Sequence, residues 1–262
     1  MSNWAHRTTA LFDAVEAHPL CTVRLARRGP PLSDADLATV EARLGFSLPA
    51  RFVDFFRAHD GLRLLWVTQY GPTDDNPGLH FAIQREEGMH CGSINVPSLL
   101  ALFPARMDYR FGRDSVEAGE QHAKVLGGWD EHALREAMRN IDDFAEIVGE
   151  SSFYLPALIA HPRYADRLPV VMTADYAAAI SDHRTMDVLD YLDLVVATAG
   201  GWQPRMQALK NFGYGGDHAA FSPAAGWLDA LPGPDVLLKF FHDELTLEEF
   251  SAVGEAWHAI GN

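Results

Sequence analysis

Histidines, cysteines and paired acids are the residues here most able to do chemistry, and their spacing limits what that chemistry can be. The 12 histidines stand at positions 6, 18, 59, 80, 90, 122, 132, 161, 183, 218, 242 and 258. No two of them form the His-Glu-x-x-His pattern that sets two imidazoles on one helix face for zinc. Cys21 and Cys91 supply neither a disulfide framework nor a cysteine zinc spacing. His80, His90 and Cys91 come nearest to a metal cluster, but three such residues on a loop more often serve packing or solvent contact. No metal and no cofactor are therefore expected. Asp182-His183 and Asp217-His218 place a carboxylate beside an imidazole, yet adjacent side chains seldom face one another. No Gly-x-Ser-x-Gly nucleophile elbow, P-loop or dinucleotide fingerprint occurs. Gly213-Tyr214-Gly215-Gly216 lacks the following Lys-Ser/Thr and reads as a turn. A non-catalytic protein is the expectation. A hydrolase whose His/Asp cluster is assembled only by folding is the alternative.

The acids are the other conspicuous group. The 262 residues carry 21 basic and 36 acidic side chains, for a formal charge of −15. Residues 1–113 hold 12 of each sign, so the whole surplus lies after them. Residues 114–150 alone hold 10 acids against 3 bases. Such a balance argues against direct binding to nucleic-acid phosphates, which needs clustered Lys and Arg, and against an anionic membrane surface. It suits either plain solubility or a face meant for a basic partner. Asp130, Glu131, Glu136, Asp142, Asp143 and Glu146 sit on or beside one expected helix, and Trp129 adjoins them. Helical spacing divides these acids into two stripes rather than one. Trp129, Asp130, Glu131, Asp142, Asp143 and Glu146 are the candidate partner-binding residues, with Trp129 as an aromatic anchor or as core.

The elements that would carry these groups follow from periodicity. Trp4, Leu11 and Val15 recur at helical spacing up to Pro19. Ser33 opens a second helix with Leu37, Val40 and Leu44 on one face, and Gly45 suits its left-handed end. Pro49 starts a third, whose apolar face is Phe52, Phe55 and Phe56, read as core. Leu62–Thr68 has strand composition, and the Gly71–Gly78 loop breaks it. His80–Ile83 reads as a short strand and Pro97–Phe103 as a helical turn or two. Asp130 is expected to cap a helix in which Leu134, Met138 and Ile141 share a face. Phe153–Ile159 and Leu168–Thr173 read as strands, and Thr185 as the cap of a helix holding Met186, Leu189 and Leu192. A final helix opens on the Thr246/Glu249 capping box and buries Phe250, Val253 and Trp257.

Helices, then short strands, then helices, without regular alternation, predict an α+β fold: an antiparallel sheet flanked by helices, with a mostly helical C-terminal extension. The expected organisation is one domain over 1–200 with an insertion near 104–130, and an extension over 201–262 packed on it. The start of the chain lacks a basic segment followed by an apolar one, and no run approaches a membrane span. Few cysteines and no leader make the cytoplasm the expected compartment.

One string adds a family to this reading. Pro31–Leu62 resembles the opening of the SUKH superfamily, the Smi/Knr-like proteins. The resemblance rests on Ser33, Glu41, Leu44-Gly45, Leu48-Pro49, Phe52, Phe55-Phe56 and Asp60-Gly61, with Asp60 where the family usually has Asn. It covers about 32 of the 262 residues. The resemblance implies a SUKH-like fold and a binding protein: in bacteria, commonly an immunity protein that neutralises a toxin of its own strain or kin. Many such toxins act on nucleic acids, so the implied partner is a cognate toxin with a basic nuclease-type domain. A regulatory interaction hub of the same fold is the alternative. Arg outnumbers Lys 18 to 3, which suggests a GC-rich bacterial source and favours the immunity reading.

Overall fold

Apolar spacing, caps and one glycine set how the chain begins. The computed structural model describes residues 4–19, 21–68, 91–105, 136–142, 155–173 and 186–201. Helix α1 (Trp4–Ala17) buries Trp4, Thr8, Leu11, Phe12 and Val15 along one stripe. The Thr8 hydroxyl donates to the Trp4 carbonyl at 2.8 Å, which satisfies a polar group inside that stripe. Strand β1 (Cys21–Arg28) follows. Helix α2 (Asp34–Leu44) starts at Ser33, whose Oγ accepts from the Asp36 N–H at 3.1 Å. It ends at Gly45, at φ 72°, where a side chain would be strained. Helix α3 (Ala50–Ala58) buries Phe52, Val53, Phe55 and Phe56.

The rings of α1 and α3 meet edge to face. Trp4 and Phe55 lie 5.1 Å apart between centroids, Phe55 and Phe56 5.2 Å, and Phe52 and Phe56 5.0 Å. Each such pair contributes roughly 0.5–1.5 kcal/mol beyond the area it buries.

Strands β2 (Leu62–Thr68) and β3 (Cys91–Val96) complete a first sheet in the order β1-β2-β3, antiparallel throughout. Leu62, Leu64 and Trp66 of β2 and Ile94 and Val96 of β3 point to the same side and are buried there. Helix α4 (Leu99–Leu102) is a single turn capped by Ser98. A second antiparallel sheet has the order β4-β5-β6-β7, from Met138–Asn140, Leu155–Ile159, Pro169–Thr173 and Met186–Asp187. Helix α5 (Val188–Ala197) follows β7 without a gap. One continuous core joins α1, α3 and the first sheet to Leu158, Val170 and the apolar residues of α5.

The turn just after α5 is tied to the first sheet. The Trp66 indole N–H donates to the Ala199 carbonyl at 2.9 Å. That ring lies so close to β3 that a Cβ on Gly92 would stand 2.4 Å from its Nε1, so only glycine fits there. The outer edge of β3 is closed as well. The Ser93 N–H donates to the Gly200 carbonyl at 2.9 Å, and the Asn95 N–H donates to the Asp142 carboxylate at 2.9 Å. An edge satisfied in this way no longer offers a template for stray strand pairing.

The architecture is thus helices with small antiparallel sheets, α+β as expected. Three expectations need correction. The segment at Met138 is not the helix foreseen from Asp130: Met138–Asn140 is β4, with Met138 opposite Ile159. Its apolar spacing is helix-like, and pairing with β5 overrides it. The last described helix is capped by Asp187 rather than Thr185, and Met186 belongs to β7. Strand β1 was not foreseen; it alternates half-buried Cys21, Val23 and Leu25 with exposed Thr22, Arg24 and Ala26 until Arg27 breaks the pattern, and its exposed arginines suit a sheet edge. The expected strand at 80–83, the insertion beyond 105 and the extension beyond 201 lie outside the described residues. Among the described residues, no helix is long and apolar enough to cross a membrane.

Candidate functional site

The residues that carry the family resemblance are engaged in directing the chain. Glu41 Oε1 accepts from the Leu48 N–H at 2.8 Å and so staples α2 to the start of α3. Asp60 Oδ1 accepts from the Leu99 N–H at 2.6 Å and anchors the first turn of α4. Burial raises the Asp60 carboxyl above the usual carboxylate range, against that N–H. Gly61, at φ 101°, turns the chain into β2. His59, at the end of α3, is lowered by burial and then by the Arg28 guanidinium. Glu41, Asp60 and Gly61 thus direct the chain from α2 through β2 and fasten the start of α4.

The chemistry-bearing group that folding assembles is elsewhere, on α5. This helix is apolar almost all round, with Val188, Leu189, Tyr191, Leu192, Leu194, Val195 and Val196 buried. Asp187, Asp190 and Asp193 interrupt it at three-residue spacing, which sets their carboxylates along one side. Asp187 Oδ1 caps the helix by accepting from the Leu189 N–H at 2.8 Å. Asp193 is 5% exposed and ion-pairs with Arg7 of α1. Arg7 in turn lies over the Trp4 ring, 4.8 Å from its centroid. Arg51 of α3 and Arg167 of the turn before β6 add positive charge beside the row.

All three carboxyls are raised, each first by burial. The Asp190 carboxyl is pushed up to about 7 by burial and then by the Asp187 and Asp193 charges, with Arg51 opposing. Asp187 is raised despite the Leu189 N–H and despite Arg51 and Arg167. Asp193 is raised despite Arg7, because its desolvation outweighs the pair. A carboxylic acid that titrates near neutrality can exchange a proton at working pH. Among the described residues, the groups acting on it are carboxylates and guanidiniums.

Of the expected partner-binding residues, Asp142 is described. It is fully buried, accepting from the Asn95 N–H through Oδ1 and from the Tyr191 hydroxyl through Oδ2 at 3.0 Å. A carboxylate enclosed in this way cannot present itself to a partner, so Asp142 leaves the surface set and joins the framework. Trp129, Asp130, Glu131, Asp143 and Glu146 lie outside the described residues. Asp187, Asp190 and Asp193 were missed in the sequence, although Asp at every third position of an apolar helix is a legible signal. Among the described residues, no group of three or more His, Cys, Asp or Glu is placed to hold a metal ion.

The chain matches none of the protein families, characterised proteins or solved structures with which it was compared.

Proposed function

We propose that this chain is a non-catalytic protein-binding protein with a SUKH-like fold, and that it neutralises a cognate bacterial toxin by direct binding in the cytoplasm. The observation that carries the reading is the Pro31–Leu62 string. Its motif residues Ser33, Glu41, Gly45 and Gly61 each hold a cap, a staple or a turn in the α2–α3–β2 unit, and Asp60 fastens the start of α4 to it. A motif consumed by the scaffold leaves recognition to other surfaces. The acid surplus after residue 113 supports a basic partner such as a nuclease-type toxin domain, because complementary charge speeds encounter. Trp129, Asp130, Glu131, Asp143 and Glu146 are the proposed contact residues.

Growth protection tests this reading. The product of the neighbouring gene, where that gene encodes a toxin-like domain, is induced in a heterologous bacterium with and without this chain. The proposal expects growth to be rescued only when the chain is present. Full toxicity in its presence, with the chain folded and abundant, would reject the immunity role.

A further inference from the structure

The two edges of the first sheet differ. On β3, the Ser93 and Asn95 N–H groups are taken up by Gly200 and Asp142. On β1, which is 8 residues long, no strand pairs with the far side among the described residues. Thr22 and Ala26 are exposed there, along with Arg24, Arg27 and Arg28. Exposed side chains as short as these mean that the strand itself lies at the surface, and not only the tips of long side chains. Such an edge presents a row of N–H and C=O groups with which another extended chain can pair.

The register of the sheet defines what that chain would meet. Leu62, Leu64 and Trp66 face the core, so Arg63 and Leu65 face outward. Leu65 stands opposite Leu25 and Ser93, and Arg63 stands opposite Arg27 and Asn95. Leu25 and Leu65 are half-buried and lie outside the hydrophobic core, whereas Cys21 and Val23 pack against it. Arg27 and Arg63 are both exposed, and like charges directly across two strands destabilise the bare sheet. Neither row contains an acid, and Arg27 makes no hydrogen bond or ion pair among the described residues. Arg28 turns the other way, onto Thr9 and the Phe12 ring of α1.

We propose that the β1 edge is a docking strand for an extended acidic segment of a partner protein. The segment adds beside β1 through main-chain hydrogen bonds. It sets a carboxylate opposite Arg27 and, two residues away on the same face, an apolar side chain opposite Leu25. The register shift between Val23 and Leu25 disturbs the edge at Arg24, so the pairing runs over Leu25–Arg28. Charge selects the occupant, because Cys-Thr-Val-Arg-Leu-Ala-Arg-Arg brings arginines and no acid. A second copy of this chain would bring two sets of Arg24, Arg27 and Arg28 into one ribbon. A nucleic acid would offer phosphates but no peptide edge to pair with the strand. The surface uses none of the acids proposed to meet a toxin, so failure of either proposal leaves the other standing.

The test uses the full chain and three fluorescein-labelled peptides of the same length as β1. One alternates valine and glutamate, one has lysine in place of glutamate, and one is the valine-glutamate peptide with every backbone amide N-methylated. Fluorescence anisotropy is expected to show binding by the first peptide alone, weakened about tenfold or more by Arg27→Glu. Arg27→Ala, which adds no new charge, is expected to weaken binding less than Arg27→Glu. Hydrogen exchange over residues 21–28 is expected to be fast in the free chain and slowed by the first peptide. No binding at millimolar peptide, or binding unmoved by Arg27→Glu, would overturn the proposal. Equal binding of the N-methylated peptide would reduce it to charge attraction and overturn strand addition. Tighter binding of an oligothymidine than of the peptide would assign the patch to nucleic acid instead. Slow exchange over 21–28 in the free chain would show the edge already covered, by this chain or a second copy, and would overturn the proposal as well.

Discussion

Removing the Asp142 carboxylate should be among the most damaging single changes in the described part of the chain. Asp142 is fully buried and satisfies two donors from two different elements, the Asn95 N–H of β3 and the Tyr191 hydroxyl of α5. Asp142→Ala leaves both donors facing a small cavity. An unsatisfied buried donor costs about 1–3 kcal/mol, so two of them give roughly 3–5 kcal/mol once partial relaxation is allowed for. Asp142→Asn keeps the shape and one acceptor, and should cost about half as much. Tyr191→Phe removes only the donor and should cost about 1.5–3 kcal/mol, the range for a hydrogen bond to a charged group. Urea midpoints for the three variants and for Asp142→Ala/Tyr191→Phe close a double-mutant cycle. The pair should be clearly non-additive, because removing the hydroxyl spares one orphaned donor. A loss below about 0.5 kcal/mol for Asp142→Ala, the level of an ordinary surface change, would refute the placement of Asp142 in the core.

Other consequences are as direct. Gly92→Ala drives a Cβ into the Trp66 ring and should cost about 1–3 kcal/mol, the range for overpacking, with a changed Trp66 fluorescence maximum as the accompanying sign. Glu41→Gln keeps an acceptor for the Leu48 N–H and should be nearly neutral, whereas Glu41→Ala should cost about 1 kcal/mol in urea denaturation. Burial pushes the Cys21 thiol up to about 12, so in a Cys91→Ser background its alkylation at pH 8 should be up to about a thousandfold slower than in the unfolded chain. A rate equal to the denatured control would contradict that burial. Reversing Asp143 and Glu146 to Lys should slow association with a basic partner and flatten its salt dependence, as stopped-flow binding would show.

What could be read from the sequence was whatever local chemistry decides. Ser33, Gly45 and Pro49 punctuate α2 and α3 through backbone preferences that need no distant partner. The strand at Leu62–Thr68 and those near Leu158 and Val170 follow from dense apolar, β-favouring runs. Strands β1, β4 and β7 were hidden because their pairing is set by neighbours far along the chain. Met138–Asn140 is three residues long, and its helix-like spacing yields to β5. The site was harder still. Asp142 stands beside Asp143 in an acidic run, and nothing in that run separates a buried carboxylate from solvated ones. The α5 row carried a legible signal, the acids of Asp187-Val188-Leu189-Asp190-Tyr191-Leu192-Asp193. Its meaning depends on Arg7, Arg51 and Arg167, which only folding brings beside it.

The central claim is recognition of a toxin by this chain, and titration calorimetry with purified proteins tests it most directly. The chain is titrated with an inactive form of a candidate toxin domain taken from its gene neighbourhood, at low and at physiological salt. The account predicts a 1:1 complex with a Kd in the nanomolar range or tighter, weakening as salt rises. Absence of binding at micromolar concentrations of both folded proteins would contradict it.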